Sequence, residues 1–202
     1  MIHLYEPAAR ADLPTLVLLH GTGGSERDLL PLAGHVAPGA GLLALRGSVA
    51  ENGMLRFFHR IAEGVFDEED LVFRAHELHA FLAEAAARYG LDRRRFVALG
   101  YLNGANMAAS LLLHYADAFR GAMLHHPMVP IRGVGPADIA GVPVFIGAGR
   151  NDPICKPQET EALTAMLQQA GAEVEVRWEY AGHHVTATEA DAAAAWFGRH
   201  FA

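Results

Sequence analysis

An apolar run, Phe96-Val97-Ala98-Leu99, ends in Gly100-Tyr101-Leu102-Asn103-Gly104, and an Ala/Leu-rich segment follows from Met107 to Tyr115. Strand, sharp turn and helix in that order make the setting of a nucleophile elbow, whose glycines let the backbone turn tightly enough to lift one side chain over the sheet. The lifted residue is Leu102, which has no atom able to attack, ionise or hydrogen-bond. Other groups could act on a molecule held above it. Asp152 and His183 offer a carboxylate and an imidazole, the pair from which a general base is built, with the carboxylate fixing the ring's tautomer. The turn His20-Gly21-Thr22-Gly23-Gly24 follows a strand and precedes what looks like a helix start, where main-chain N–H groups can point at an oxyanion or phosphate.

The elements that must position these groups alternate along the chain. Residues 2–6 read as an edge strand, and Thr15–Leu19 and Gly41–Leu45 as continuous apolar strands of the kind covered on both faces. Ser25 begins what looks like a capped helix start. A long irregular stretch from Arg46 to Phe66 follows, and a loop of that length in a compact domain is usually functional. Leu71, Ala75, Leu78, Leu82 and Ala85 recur at helical spacing between Asp67 and Tyr89, with Gly90 as the stop. His76 and His79 fall off that stripe and are expected in solvent. The elbow strand 96–100 and helix 104–115 come next, then strands 121–124 and 142–147, helix 157–169, an alternating strand 173–178 near a sheet edge, and a closing helix 186–200 with Trp196 and Phe197 inward. Strands alternating with helices predict an α/β fold with a mostly parallel, doubly wound sheet, its ligands beyond the carboxyl ends of the strands.

The 202 residues, 51% hydrophobic and 19% charged, suit one globular domain over 1–202. A net charge of −7 argues against nucleic acid or an anionic membrane as partner, and no apolar run approaches the length needed to span a bilayer. The single cysteine, Cys155, excludes a disulfide framework, and the first residues lack the pattern of a signal peptide, so a cytoplasmic setting is expected. The twelve histidines show no metal-ligand spacing, and neither metal nor cofactor is implied.

Nucleophile position, Asp and His follow one another in the chain order of α/β-hydrolases. The chain resembles the small bacterial phospholipase/carboxylesterase group of that superfamily, relatives of acyl-protein thioesterases and dienelactone hydrolases. The matching stretches are His20–Gly24, Glu51-Asn52-Gly53-Met54 with Arg56-Phe57-Phe58, Gly100–Asn106 apart from Leu102, His126-Pro127-Met128-Val129-Pro130, Asp152-Pro153 and Gly182-His183. The resemblance implies an α/β-hydrolase fold, His183 as catalytic base, Asp152 as its carboxylate partner, and the amides of Thr22 and Asn103 as the oxyanion hole. It also implies serine where Leu102 stands, and it allows a homodimer.

Met54, Phe57, Phe58, His126 and Met128 are candidates for the substrate pocket, although the phenylalanines could simply anchor their loop and His126 could simply pack at a strand end. Cys155 is read as a core-like thiol, Ser25 as a cap and Ser110 as interior to its helix, so none replaces the missing nucleophile. His184 should point away from the site. Two functions follow. The first is a carboxylesterase-type hydrolase of small esters or thioesters in which Leu102 leaves the acyl-enzyme route lost or very weak. The second is a nucleophile-independent use of the site, either general-base chemistry by His183 and Asp152 on a phenolic substrate, as a lyase or cofactor-free oxygenase, or ligand binding without catalysis.

Overall fold

The computed structural model describes all residues, 1–202. Its elements in chain order are β1 (His3–Glu6), β2 (Thr15–Leu19), α1 (Leu30–Val36), β3 (Gly41–Leu45), β4 (Val49–Glu51), β5 (Met54–Arg56), β6 (Arg60–Ala62), β7 (Val65–Phe66) and α2 (Glu68–Tyr89). They continue with β8 (Phe96–Tyr101), α3 (Asn103–His114), β9 (Gly121–His125), β10 (Pro143–Gly149), α4 (Pro157–Gln169), β11 (Glu173–Glu179) and α5 (Ala187–Phe201).

Seven strands form one sheet in the order β1-β3-β2-β8-β9-β10-β11, with β1 antiparallel to β3 and every other pair parallel. Alternate residues of each central strand feed opposite faces, as period-two side chains must. Val17, Leu19 and Ala98 join a core shared with α2, α3 and α4, while Leu16, Leu18, Val97 and Leu99 join a second core under α1 and α5. The strand order reverses between β2 and β8: the chain leaves β2 toward β3 on one side and returns to β8 on the other. Ligands of open α/β sheets bind at such a switch point, and His20–Gly24 and the elbow both emerge there. No helix is long and apolar enough to cross a membrane.

Three local expectations need correction. The first helix begins at Leu30 rather than at Ser25, with Pro31 in its first turn. Proline lacks the N–H that a helix interior requires, so a helix starting at Ser25 would have carried Pro31 where it breaks the ladder. Ser25 instead closes a turn, its hydroxyl donating to Asp28 Oδ1 at 2.8 Å. The stretch from Arg46 to Phe66 is two antiparallel hairpins, β4–β5 and β6–β7. Asn52 and Gly53 both take positive φ between β4 and β5, the conformation for which Asn-Gly turns are favoured. His76 is exposed as expected, but His79 is half-buried, stacked on Tyr115 at 4.0 Å and paired with Asp117 at 3.0 Å.

The long helix α2 starts where Asp67 accepts from the amide of Asp70 at 3.0 Å and stops at Gly90, which takes a left-handed φ of 65°. Asp67→Ala removes the cap, and we expect a loss of about 1 kcal/mol. In thermal unfolding this reads as a fall in Tm of about 2–4 °C; an unchanged Tm would show that the cap contributes nothing.

Candidate active site

The elbow is built by what its glycines lack. Neither Gly100 nor Gly104 has a positive φ; the left-handed residue is Leu102 itself, at φ 50° and ψ −114°. A Cβ on Gly100 would come within 2.7 Å of the Ala105 backbone, and one on Gly104 would overlap the carbonyl of Leu19. The glycines therefore let α3 press against β2 and β8, and the turn's strain falls on residue 102, at a cost of roughly 1–3 kcal/mol. Main-chain bonds hold it there: Leu102 N–H donates to His125 O at 3.0 Å, and Asn106 N–H to Leu102 O at 2.9 Å.

The asparagines flanking the turn brace neighbouring loops. Asn103 Oδ1 accepts from Phe57 N–H at 2.6 Å, and Asn106 Oδ1 from Met128 N–H at 2.8 Å. Across the switch point, the glycine-rich turn is tied to the β4–β5 hairpin. Gly23 N–H donates to Leu55 O at 2.8 Å, and the buried Arg56 guanidinium donates to Thr22 Oγ1 at 2.7 Å and to Phe58 O at 3.2 Å. His20 Nδ1 donates to Gly21 O at 2.6 Å and its Nε2 accepts from Gly47 N–H at 3.0 Å, so the ring is neutral, and burial holds its pKa below the ordinary value. The N–H of Thr22 has no acceptor within the chain, and that of Asn103 heads α3, where no intrahelical acceptor exists.

Asp152 and His183 meet as the sequence anticipates. His183 Nδ1 donates to the buried Asp152 carboxylate, 2.9 Å from Oδ1 and 2.8 Å from Oδ2, which leaves Nε2 as the acceptor. The amides of Ile154 and Cys155 also donate to Asp152 Oδ1, at 2.9 and 2.8 Å. Burial alone would raise this carboxyl, but hydrogen bonds from His126, His183 and those amides outweigh it and hold the pKa below the ordinary value. The His183 side chain is 21% exposed and lines a cavity of about 280 Å³ together with Leu102, Thr22, Asn103, Met54 and Met128. A larger cleft of about 630 Å³ opens on the other side of Thr22, between the glycine-rich turn, Tyr101 and the start of α5. The Tyr101 hydroxyl donates to His183 O at 3.3 Å, and His184 is exposed.

Of the expected pocket residues, Met54 and Met128 line the cavity and three do not. Phe57 and Phe58 belong to the core, Phe57 beside His20 and Phe58 edge-on to Phe66. Bonds from neighbouring Arg56 and to Asn103 draw their backbone inward. His126 is fully buried, its Nδ1 2.9 Å from Asp152 Oδ2 and its Nε2 3.2 Å from Glu189 Oε2. The Cys155 thiol donates to His126 O at 3.0 Å, and burial pushes its pKa up, which makes it a poor nucleophile. His126, Asp152 and His183 bring donor atoms within 4.8 Å of one another, a convergence accounted for by the bonds among them.

Glu189 escaped the sequence reading. Thr186-Ala187-Thr188-Glu189 has the form of a capping box, and Thr186 Oγ1 does accept from Glu189 N–H at 3.1 Å. The carboxylate, however, turns inward to His126 and to His125 Nδ1. Burial would raise its pKa, but the hydrogen bonds and charges of His125 and His126 hold it down at about 2. A carboxyl depressed in the folded state contributes stability that is complete above the unfolded value of about 4.3 and lost as pH falls through the folded one. Glu189→Gln should therefore destabilise the protein by about 3 kcal/mol at pH 7 and flatten the fall in stability from about pH 4.3 towards pH 2. Urea unfolding across that range measures both effects, and parallel curves for the two proteins would contradict the assignment.

Comparison with known proteins agrees with this architecture. The profile of the dienelactone hydrolase family matches residues 59–199. A Bacillus subtilis protein named "Putative hydrolase MhqD" is 54% identical over 197 residues, 98% of each chain. Among solved structures, the Bacillus cereus carboxylesterase superposes with a TM-score of 0.97 at 54% identity, covering 98% of this chain and 94% of its own. A carboxylesterase from Mesorhizobium loti does so with a TM-score of 0.89 at 35% identity, covering 94% and 90%. With the strand order, the elbow and these similarities together, the chain belongs to the dienelactone hydrolase family, among the carboxylesterase-type hydrolases of the α/β-hydrolase fold.

Proposed function

We propose that the cavity beside His183 is a carboxylesterase-type site for small carboxylic esters or thioesters, in which Leu102 closes the acyl-enzyme route and leaves hydrolysis very weak. The observation that carries this reading is the His183–Asp152 hydrogen bond at the edge of a cavity that Leu102, Thr22 and Asn103 also line. Asp152 fixes the proton on Nδ1, so Nε2 is the atom that would take a proton from a nucleophile. The unengaged amides of Thr22 and Asn103 serve as the oxyanion hole, and since they are main-chain groups the identity of residue 102 does not remove them. A carbonyl held by these amides lies between the two cavities that share Thr22. The acyl and alcohol portions of a small ester then have a compartment each, one of about 280 Å³ and one of about 630 Å³.

Leucine offers no oxygen to attack that carbonyl. Loss of the serine from a Ser-His-Asp triad costs about 10⁶-fold in kcat. Leu102→Ser should therefore raise kcat/KM for p-nitrophenyl acetate on the order of 10³-fold or more, and His183→Ala in the serine variant should return it to the starting level. Equal, negligible rates with leucine and serine would overturn the hydrolytic reading and leave the base to chemistry that needs no nucleophile.

A further inference from the structure

His126 takes no part in the chemistry above, yet it is buried against the groups that do. Its ring stands between two carboxylates, Asp152 at Nδ1 and Glu189 at Nε2, at 2.9 and 3.2 Å. A neutral imidazole has one N–H and one bare nitrogen, and a bare nitrogen facing a carboxylate oxygen is repelled. Only the imidazolium supplies both donors.

The surrounding backbone is shaped to keep the ring in place. His126 adopts a left-handed φ of 52°. Its N–H donates to Gly147 O at 2.8 Å, and the Cys155 thiol donates to its carbonyl. A Cβ on Gly147 would overlap the Glu189 carboxylate, so glycine there leaves the space the carboxylate fills. The other titratable groups around the ring are His183 and Tyr101, with ring centroids 5.9 and 6.0 Å away, His125, which donates to the second Glu189 oxygen, and Cys155. Burial, then the nearby carboxylates, raise both the Tyr101 hydroxyl and the Cys155 thiol above their ordinary values, so both stay neutral. The charges near the ring are then those of Asp152 and Glu189, and those of His125 and His183 when either imidazole holds a second proton.

We propose that His126 is a positioning residue held as an imidazolium between Asp152 and Glu189, where it keeps Asp152 ionised and aimed at His183. The proposal rests on the reading of His183 and Asp152 as base and partner. Burial by itself would lower the pKa of His126, but the hydrogen bonds and charges of Glu189 and Asp152 raise it above the ordinary value, as this arrangement requires. In function, the positive charge offsets that of Asp152, so a proton arriving on His183 gains less from the carboxylate.

Nitrogen-15 spectra of the histidine-labelled protein, with Leu102 in place, test the charge without any turnover. One imidazole should keep both nitrogens protonated at pH 8, where an ordinary histidine is neutral. That signal should be missing from His126→Gln and lost at lower pH in Glu189→Gln. A folded protein with every imidazole neutral at pH 8, or a signal indifferent to Glu189→Gln, overturns the proposal. In the Leu102→Ser background, His126→Gln should move the acid limb of the pH profile for p-nitrophenyl acetate upward by about one unit. A side chain that merely filled space would lower the rate equally at every pH, and that result also overturns the positioning role. If Leu102→Ser gains no esterase activity, the hydrolytic reading fails while the nitrogen spectra still decide the charge on His126.

Discussion

The contact on which the site depends is the close approach of Gly104 to the carbonyl of Leu19, where a helix start meets the end of a neighbouring strand with no side chain between them. It seats α3 at the centre of the molecule, and every residue from Asn103 to Leu113 is buried. A helix surrounded on all sides is positioned by packing rather than by amphipathicity. Its first turn is consequently as fixed as the sheet itself, and the elbow, the glycine-rich turn and the β9 end are held in mutual register at the switch point.

Around that seat, buried polar side chains bind loops to the sheet. Asn103 and Asn106 reach out from the elbow to Phe57 and Met128, and Arg56 reaches back from the hairpin to Thr22. Asp152 gathers two amides and two imidazoles on one carboxylate. Buried polar groups are tolerated when they are paired, and here the pairing also aligns the rim of the cavity. Precision in the cavity thus comes from the interior, while the cavity wall itself also takes in Arg60, Phe66, Ile154 and the methionines Met54 and Met128.

Much of this could be read from residue order. Apolar runs ending in glycine marked the central strands, the three-and-four spacing of Leu71 to Ala85 marked α2, and the order of elbow, Asp152 and His183 pointed to the hydrogen-bonded carboxylate and imidazole. What escaped depended on direction or on distant partners. Asn52-Gly53 carried a hairpin signal that was overshadowed by the length of its loop. Pro31 carried the helix boundary that Ser25 only imitated. Phe57 gave no sign of which way it faced, because the bond that draws its backbone inward comes from Asn103, far along the chain, and Phe58 follows it with a carbonyl held by Arg56. Glu189 has an amide that serves the helix cap, while its carboxylate answers to histidines that only the fold brings near.

The left-handed backbone at Leu102 makes one further distinction possible. The turn is held by its own amides and carbonyls, by two missing β-carbons and by the asparagine after it, and none of these uses the side chain at 102. Residue 102 is thus the one place in the elbow where architecture and reactivity are decoupled. Its substituent can change character while the scaffold that presents it keeps its shape, so foldedness in this chain carries no information about whether its chemistry is switched on.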